Sequence, residues 1–270
     1  MNKKKENIST RSRRTELLET RIAQNVGAQK IDLAEWIFDR IEIESGSKVL
    51  ELCSGTGAQT LHLINRVGET GHVFPSDVSR KTLDKLDANI KTKWKPRVTS
   101  IEADMDSLSD VLDGNGFVAP HFDMVFCAYG LYYSKNVAEI LQEIKRWLRP
   151  KGRLVVVGPF GPNNDPLFNL LEQAGVVIQP CIKYTSTDFM FKEVLSWAAK
   201  HFEKVFINTV VNQIAWQEPT DVLTYWKNST FYDSERLTVV KKLVDAHFSM
   251  NSEFVNEKWI MMIEAKDVRK

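Results

Sequence analysis

The amino-acid sequence predicts an α/β fold with a doubly wound, mostly parallel sheet of seven strands. Five short apolar runs alternate with amphipathic helical segments between residues 48 and 157, which is the order that builds a parallel sheet with helices on both faces. A glycine-rich turn joins the first run to its helix. The last hundred residues change to two strands around a helical insert, and a final strand reached by such a detour is typical of an antiparallel edge element.

The first half of the chain accounts for five strands and the helices between them. Apolar runs predict strands at residues 49–52, 73–74, 98–102, 123–128 and 154–157. Apolar residues at helical spacing predict helices over residues 32–43, 57–67, 79–90 and 136–148. Ser79 is placed to cap the third helix, and Pro150 with Gly152 ends the fourth.

The second half of the chain predicts fewer elements. We expect a helix over residues 188–201, a strand over 205–216, helices over about 220–229 and 234–249, and a strand over 259–263. Asp165 stands before Pro166, where it could cap a further helix. The insert carries aromatic side chains that either form a lid over a substrate or pack in the interior. They are Trp216, Tyr225, Trp226, Phe231 and Tyr232.

Composition and charge limit the partners. Apolar residues make up 43% of the 270 residues, charged residues make up 26%, and the formal net charge is +1. This balance argues for no special partner, neither a nucleic acid nor a membrane. The sequence contains no run of 18 apolar residues, so it predicts no membrane-spanning helix. The three cysteines are too scattered for a disulfide framework or a zinc site, so we expect a cytoplasmic setting and no metal. We also expect either a monomer or a homodimer.

A glycine-rich turn after the first strand is the most informative motif. Glu51 ends the apolar run, and Gly55 and Gly57 open the turn into a helix, where backbone N–H groups can approach a ligand closely. Asp77 lies 20 residues beyond Gly57, at the end of the second strand. A carboxylate there can accept hydrogen bonds from both hydroxyls of a ribose, which predicts an adenosine-type cofactor.

Three kinds of nucleotide site compete for this turn. A phosphate-binding P-loop needs a Lys-Ser or Lys-Thr pair after the glycines, and none follows. A nicotinamide site usually needs a third glycine, but Thr60 occupies that position, and the chain has no Tyr-x-x-x-Lys pair. S-adenosylmethionine has no pyrophosphate and a zwitterionic amino acid end, which Glu51 could meet. The turn therefore favours S-adenosylmethionine.

Five segments in order resemble the class I S-adenosylmethionine-dependent methyltransferases. They are Val49–Gly57, Asp77, Ala103–Met105, Phe122–Tyr133 and Leu148–Val157. The chain is similar to the small-molecule group of that family that includes the ubiquinone-biosynthesis type (types 11–12), over about residues 30–160. The resemblance implies a Rossmann-like sheet and in-line methyl transfer to a small-molecule acceptor.

The resemblance also implies a set of cofactor-binding residues. Asp77 would bind the ribose, and Asp104 would accept from the exocyclic amine of adenine. The family usually has glycine where this chain has Cys53, which is interpreted either as a small loop residue or as a thiol nucleophile. The full set is Glu51, Cys53, Ser54, Gly55, Gly57, Asp77, Val78, Asp104, Met105 and Cys127.

The acceptor is expected above the carboxyl ends of the fourth and fifth strands. Tyr129, Tyr132 and Tyr133 leave the fourth strand, and they are the candidate catalytic residues. Related enzymes often have histidine in this segment. A phenol is a poor base at neutral pH, so these tyrosines would orient a substrate hydroxyl or pack in the core, and both roles stay open.

The expected organisation follows from the resemblance. Residues 1–14 form a basic flexible tail, or alternatively a phosphate-binding arm, and residues 15–270 form one methyltransferase domain. Within it, residues 30–160 are the cofactor-binding core, and 161–203 and 217–250 are substrate-side elements. Two other functions remain open, a nucleic-acid methyltransferase and a catalytically silent cofactor-binding partner protein. The segment after the fourth strand lacks the Pro-Pro pair common in amino-methylating nucleic-acid enzymes.

Overall fold

The computed structural model describes residues 14–269, which group into two compact units. The first unit contains the chain up to Asp32, Phe160–Asp188 and Val210–Ile260. The second contains Leu33–Pro159, Phe189–Thr209 and the chain from Met261 onward. The domain organisation expected from the sequence stays a prediction, and its basic tail lies outside the described residues except for Arg14.

Seven strands form one sheet, in the order β3-β2-β1-β4-β5-β7-β6. Their bounds are β1 Lys48–Leu52, β2 His72–Asp77, β3 Ile101–Glu102, β4 Phe122–Ala128, β5 Leu148–Pro159, β6 Phe202–Trp216 and β7 Phe254–Val268. Strands β1 to β5 pair in parallel, and the last strands introduce antiparallel pairing. The predicted fold class is confirmed. The order reverses at β1 and β4, which is where ligands bind in open α/β sheets.

Eleven α-helices connect or follow these strands in the part of the chain that the structure describes. They are α1 Thr15–Val26, α2 Leu33–Phe38, α3 Thr60–Arg66, α4 Arg80–Asn89, α5 Leu108–Gly114, α6 Val137–Trp147, α7 Asp165–Gln173, α8 Pro180–Thr187, α9 Ser196–His201, α10 Pro219–Lys227 and α11 Leu237–Phe248. A π-helix covers Met190–Leu195, and short 3₁₀ helices cover Thr92–Arg97, Met105–Ser107, Leu131–Tyr133 and Ser234–Arg236. Over residues 14–269, no helix combines the length and apolarity that crossing a membrane requires.

Several predicted elements need correction. The helix expected over residues 32–43 ends at Phe38, where the Arg40 guanidinium donates to the open Trp36 carbonyl. The strand expected over 98–102 is regular only at Ile101–Glu102, with one isolated bridge at Val98. The last strand, expected at the sheet edge, lies between β5 and β6, so that β6 is the edge strand.

Two further corrections concern helix starts. The segment expected as one helix over 188–201 is a π-helix followed by α9. Asp165 does not cap its helix, because α7 begins at Asp165 and Asn164 stands at the cap position in the left-handed region, at φ 67°. Ser79 does cap α4, since its hydroxyl accepts from the Thr82 N–H as predicted. Helices α1, α5 and α8 were missed by the sequence analysis.

Each unit has its own apolar interior. In the second unit, β1 and β4 are almost fully buried, and α6 packs Ile140, Ile144 and Trp147 inward, each contributing roughly 1.5–3 kcal/mol through burial. In the first unit, Trp216 and Trp226 are buried in a cluster with apolar side chains of α7, α10 and α11. This packing is one of the two roles expected for the insert's aromatic residues, and the lid role stays a prediction.

Candidate functional site

A tight turn follows β1, and three of its residues lie in the left-handed backbone region. Cys53 has φ 54°, Gly55 has φ 55° and Gly57 has φ 89°. A Cβ atom at Gly57 would lie 2.7 Å from Leu86 Cγ, whereas a Cβ atom at Gly55 would have no described atom within 4 Å. The turn is therefore packed against α4 on one side and open at Gly55, where a ligand can approach the backbone.

Asp77, at the end of β2, holds this turn. Its Oδ2 atom accepts from the Gly55 N–H at 3.0 Å, and its Oδ1 atom accepts from the Ser79 N–H at 2.9 Å. Each carboxylate oxygen can accept a second hydrogen bond. Asp77 can therefore keep the turn in place and still accept from two ligand hydroxyls. Val78 follows it with 45% of its surface exposed, which leaves an apolar side chain beside the carboxylate.

Glu51 is a buried acid at the end of β1. Its Oε2 atom accepts from the Thr60 hydroxyl at 2.6 Å. Burial raises the pKa of Glu51 to about 8, the Thr60 hydrogen bond lowers it, and the neighbouring Asp77 carboxylate raises it. The charged form of Glu51 is thus costly in the isolated protein, and a cationic group from a ligand would stabilise it.

Two buried polar atoms in the turn lack partners among the described residues. They are Ser54 Oγ and Gln59 Oε1. Buried polar atoms without hydrogen bonds are uncommon in proteins, so these atoms are suited to a ligand. A hydroxyl donor at Ser54 and an acid at Glu51 match the carboxylate and the ammonium of an amino acid. The donor set therefore fits the zwitterionic end of S-adenosylmethionine.

Asp104 and Met105 follow β3. The Asp104 carboxylate accepts from the Asp106 N–H at 3.2 Å, and Lys135 Nζ lies 3.9 Å from its Oδ2 atom. The Asp104 carboxylate, which is expected to contact adenine, is thus already held by the Asp106 N–H and by Lys135. The contact with Lys135 was not predicted from the sequence. Met105 begins the 3₁₀ turn and is half-buried.

Cys53 and Cys127 both lie beside Gly130. A Cβ atom at Gly130 would lie 2.7 Å from the Cys53 sulfur and 3.2 Å from the Cys127 sulfur. The hydrogen bond with Cys127, burial, and the Asp77 and Asp104 carboxylates all raise the pKa of the Cys53 thiol. A raised pKa disfavours the thiolate that a nucleophile needs. The structure therefore favours a loop residue over a catalytic thiol at Cys53.

The three candidate tyrosines follow β4. Tyr129 has φ 56°, and its N–H donates to the Val157 carbonyl at 2.8 Å. The Tyr132 ring lies 4.8 Å from the Tyr133 ring and packs edge-on against Phe189 at 5.8 Å. Tyr133 is 45% exposed. The Tyr132 ring thus makes packing contacts, and the assignment of the three tyrosines to an acceptor pocket stays a prediction.

The structure brings most of the predicted cofactor residues together. Asp77 contacts the turn, and its charge, like that of Asp104, acts on Cys53. Sequence reasoning missed three neighbours, Thr60, Ser76 and Gly130. Thr60 donates to the Glu51 carboxylate, and the Ser76 hydroxyl donates to the Glu51 carbonyl at 3.1 Å. The positions of Thr60 and Ser76 in the sequence could have indicated them, because Thr60 begins the helix after the turn and Ser76 precedes Asp77.

A second polar cluster lies in the first unit. Lys258 Nζ donates to the Tyr225 hydroxyl at 2.6 Å and to Asn164 Oδ1 at 2.5 Å. Burial alone would raise the pKa of Tyr225, but the Lys258 and Arg21 cations lower it below its usual value. The sequence pattern marks Tyr225 only as an aromatic residue of the insert, and it gives no sign of the contact with Lys258.

Comparisons with known proteins give consistent matches. The profile of the methyltransferase domain family matches residues 49–152. A 2-phytyl-1,4-naphthoquinone methyltransferase from Nostoc punctiforme is 32% identical over 125 residues, which cover 46% of this chain and 51% of that protein. A demethylmenaquinone methyltransferase from Lactococcus lactis is 29% identical over 164 residues, covering 59% and 54%. The chain spans about half the length of these curated relatives.

Among solved structures, the YcgJ protein from Bacillus subtilis superimposes with a TM-score of 0.60. The alignment covers 88% of this chain and 98% of that protein at 14% sequence identity. A likeness at this identity shows that the fold is shared, and it extends well beyond the domain matched at residues 49–152.

Proposed function

Because the chain belongs to the class I S-adenosylmethionine-dependent methyltransferases, through its domain at residues 49–152, we propose that it transfers a methyl group from S-adenosylmethionine to a small-molecule acceptor. The product of the donor would be S-adenosylhomocysteine. One observation carries the proposal. The Asp77 carboxylate holds an open glycine turn next to a buried acid, Glu51, and the turn contains an unpartnered hydroxyl at Ser54.

The residues of this site would bind the donor at both ends. Asp77 accepts from the ribose hydroxyls, with charge-assisted hydrogen bonds worth about 1.5–3 kcal/mol each. Glu51 pairs with the ammonium, and the Ser54 hydroxyl and the N–H groups of the turn meet the carboxylate. Val78 and Met105 offer apolar contacts to the adenine, and Asp104 can accept from its amine.

The chemistry of the transfer needs little from the protein beyond positioning. When bound, S-adenosylmethionine supplies a methyl group on a sulfonium sulfur, which makes it an electrophile. The chain would act by fixing donor and acceptor in line, an arrangement with effective molarities of about 10⁵ M or more. Tyr132 and Tyr133 would orient an acceptor hydroxyl. Because a phenol is a poor base at neutral pH, an acceptor that is already ionised or activated is favoured.

The acceptor class is supported by the relatives rather than by the site. The two relatives are named for a phytyl naphthoquinone and for demethylmenaquinone. We therefore propose a reduced quinone-type ring as the first acceptor to test. The near-zero net charge of the chain favours such a small neutral acceptor over a nucleic acid.

A methyl-transfer assay tests the proposed function. The full chain is incubated with methyl-labelled S-adenosylmethionine and with reduced naphthoquinones, phenols, amines and transfer RNA in separate reactions. Label in a small molecule, with S-adenosylhomocysteine formed in equal amount, supports the proposal. Label in the RNA would support a nucleic-acid methyltransferase instead, and donor binding without transfer to any acceptor or to a cell extract would support a silent binding protein.

Phenylalanine variants test the role of the tyrosines. Tyr132→Phe and Tyr133→Phe should lower turnover more than they lower the affinity for S-adenosylhomocysteine, because the phenols would face the acceptor. Turnover is measured with the best acceptor from the panel, and affinity is measured by calorimetry. The reverse pattern, lost affinity with retained turnover, would place these residues in the donor site.

A further inference from the structure

We propose that Cys53 and Cys127 form a reversible disulfide that weakens donor binding, so that the site is a target of oxidative modification. The inference rests on the proposed function only for its effect on the donor. The bond itself concerns two thiols whose placement is given by the strands and by the turn.

The sheet brings the two cysteines together. Strand β1 pairs in parallel with β4, and Leu52 lies opposite Cys127 in that register. Cys53 is the next residue, and its left-handed backbone, at φ 54°, directs the chain into the turn. Both sulfur atoms lie against Gly130, where an added Cβ atom would be 2.7 Å from the Cys53 sulfur and 3.2 Å from the Cys127 sulfur. The register and the turn therefore place the two thiols on neighbouring strand ends.

Gly130 leaves the space into which both thiols project. A Cβ atom there would lie 2.4 Å from Cys53 Cβ and within 3.2 Å of both sulfur atoms, which real side chains do not tolerate. A glycine at this position therefore allows a cysteine at position 53. The two features together describe a built dithiol pair rather than two unrelated cysteines.

Exposure assigns different roles to the two thiols. Cys53 is partly exposed, whereas Cys127 is fully buried. A peroxide reaches Cys53 first, and its thiolate attacks one peroxide oxygen to give a sulfenic acid and hydroxide. The Cys127 sulfur then attacks the sulfenic sulfur, and water leaves. In total the two thiols lose two electrons and two protons, and the peroxide is reduced to two waters.

The resting site resists this reaction at neutral pH. Contact with Cys127, burial and the facing carboxylates of Asp77 and Asp104 all raise the pKa of the Cys53 thiol. Since the thiolate is the reactive form, oxidation should be slow at pH 7 and faster as the pH rises. The pair would therefore respond to strong rather than weak oxidation.

The bond would change the turn that binds the donor. A disulfide needs its sulfur atoms about 2.05 Å apart with a restricted torsion, which is tighter than a contact between thiols. Closing it moves Cys53, two residues before the Gly55 N–H that Asp77 holds. We expect the affinity for S-adenosylhomocysteine to fall at least tenfold in the oxidised protein and to return after reduction with dithiothreitol.

The experiment compares four proteins with and without hydrogen peroxide at pH 8.5. They are the wild type, Cys53→Gly, Cys127→Ala and Cys181→Ser. Intact mass, peptide mapping and calorimetric titration with S-adenosylhomocysteine are measured for each. We expect a loss of two mass units, a Cys53–Cys127 linked peptide and a tenfold weaker affinity in the wild type. Cys181→Ser, which changes an exposed cysteine outside the site, should behave in the same way.

The two partner variants distinguish the possible outcomes. Cys53→Gly and Cys127→Ala should show no linked peptide and no loss of affinity with peroxide, and either one suffices if the other fails to fold. A peroxide effect that persists in both, or a wild type that forms no such link, overturns the proposal. A Cys53–Cys127 link that leaves the affinity for S-adenosylhomocysteine unchanged overturns the proposed weakening of donor binding. If the reduced wild type does not bind S-adenosylhomocysteine at all, the proposed function fails, while the mass data still decide whether the disulfide forms.

Discussion

At the scale of single residues, the protonation of Glu51 makes the stability of the protein depend on pH. Its folded-state pKa is about 8 against a usual value of 4.5, so the folded protein binds this proton more tightly than the unfolded chain does. The stability that this proton contributes is fully present below pH 4.5 and is lost as the pH rises through 8. A buried glutamate at the end of a strand therefore costs stability at neutral pH.

A glutamine at this position should remove that cost. We expect Glu51→Gln to gain stability relative to the wild type by up to about 1.4 kcal/mol per pH unit between about pH 5 and 8, because one pKa unit corresponds to that energy. Urea unfolding at four pH values measures the difference. Glu69→Gln, at an exposed glutamate, is the control and should follow the wild type. Parallel profiles for the wild type and Glu51→Gln would contradict the raised pKa.

Asp77 holds the turn and is proposed to bind the ribose, and substitutions can separate these two functions. Asp77→Ala removes the acceptor for the Gly55 N–H and the carboxylate proposed to bind the ribose, so the affinity for S-adenosylhomocysteine should fall at least tenfold. Asp77→Asn keeps one acceptor oxygen and should lose less. Calorimetry gives both values. An Asp77→Ala variant with wild-type affinity would remove the ribose assignment.

The proximity of Glu51 and Asp77 to each other and to the glycine turn was predictable from chain position. Glu51 and Asp77 end apolar strands, and parallel strands place their carboxyl ends at one edge. Gly130 was missed because its importance depends on contact with Cys53 across two strands, which no local pattern records. Lys135 was missed for the same reason, since it reaches Asp104 from a different loop.

At the scale of elements, the turn between β1 and α3 depends on glycine at one position more than at the others. Gly57→Ala places a side chain at φ 89° and against Leu86, and we expect a loss of about 1–3 kcal/mol in the free energy of unfolding. Gly114→Ala is the matched control, because Gly114 ends α5 with open space around it. It should change stability by no more than about 1 kcal/mol, and favourably if at all. Equal losses in thermal or urea unfolding would contradict this account of the turn.

Strongly patterned elements were the predictable ones. Helix α6 has a continuous apolar stripe and a Pro-Lys-Gly stop, and its observed bounds differ from the prediction by one residue at each end. Helices α1 and α5 carry weaker patterns, and their formation depends on packing that the sequence does not display. The position of β7 between β5 and β6 was not predictable either, because strand order in a sheet is set by tertiary pairing.

At the scale of the whole molecule, the described residues group into two compact units. The second unit contains every residue predicted to bind the donor, and the first contains the aromatic insert and the Tyr225–Lys258 pair. Composition and strand alternation were sufficient for the fold class. They could not identify the acceptor, because that depends on side chains outside the five motifs.

The central claim is that the turn at residues 51–57, with Asp77, binds S-adenosylmethionine. Calorimetric titration of the full chain with S-adenosylhomocysteine tests it most directly, together with thermal unfolding in excess ligand. The account predicts saturable binding at one site per chain, and a stabilisation of about 2.7 kcal/mol at a ligand concentration one hundred times the Kd. A titration without heat of binding at any pH from 6 to 9, with an unchanged unfolding temperature, would contradict it.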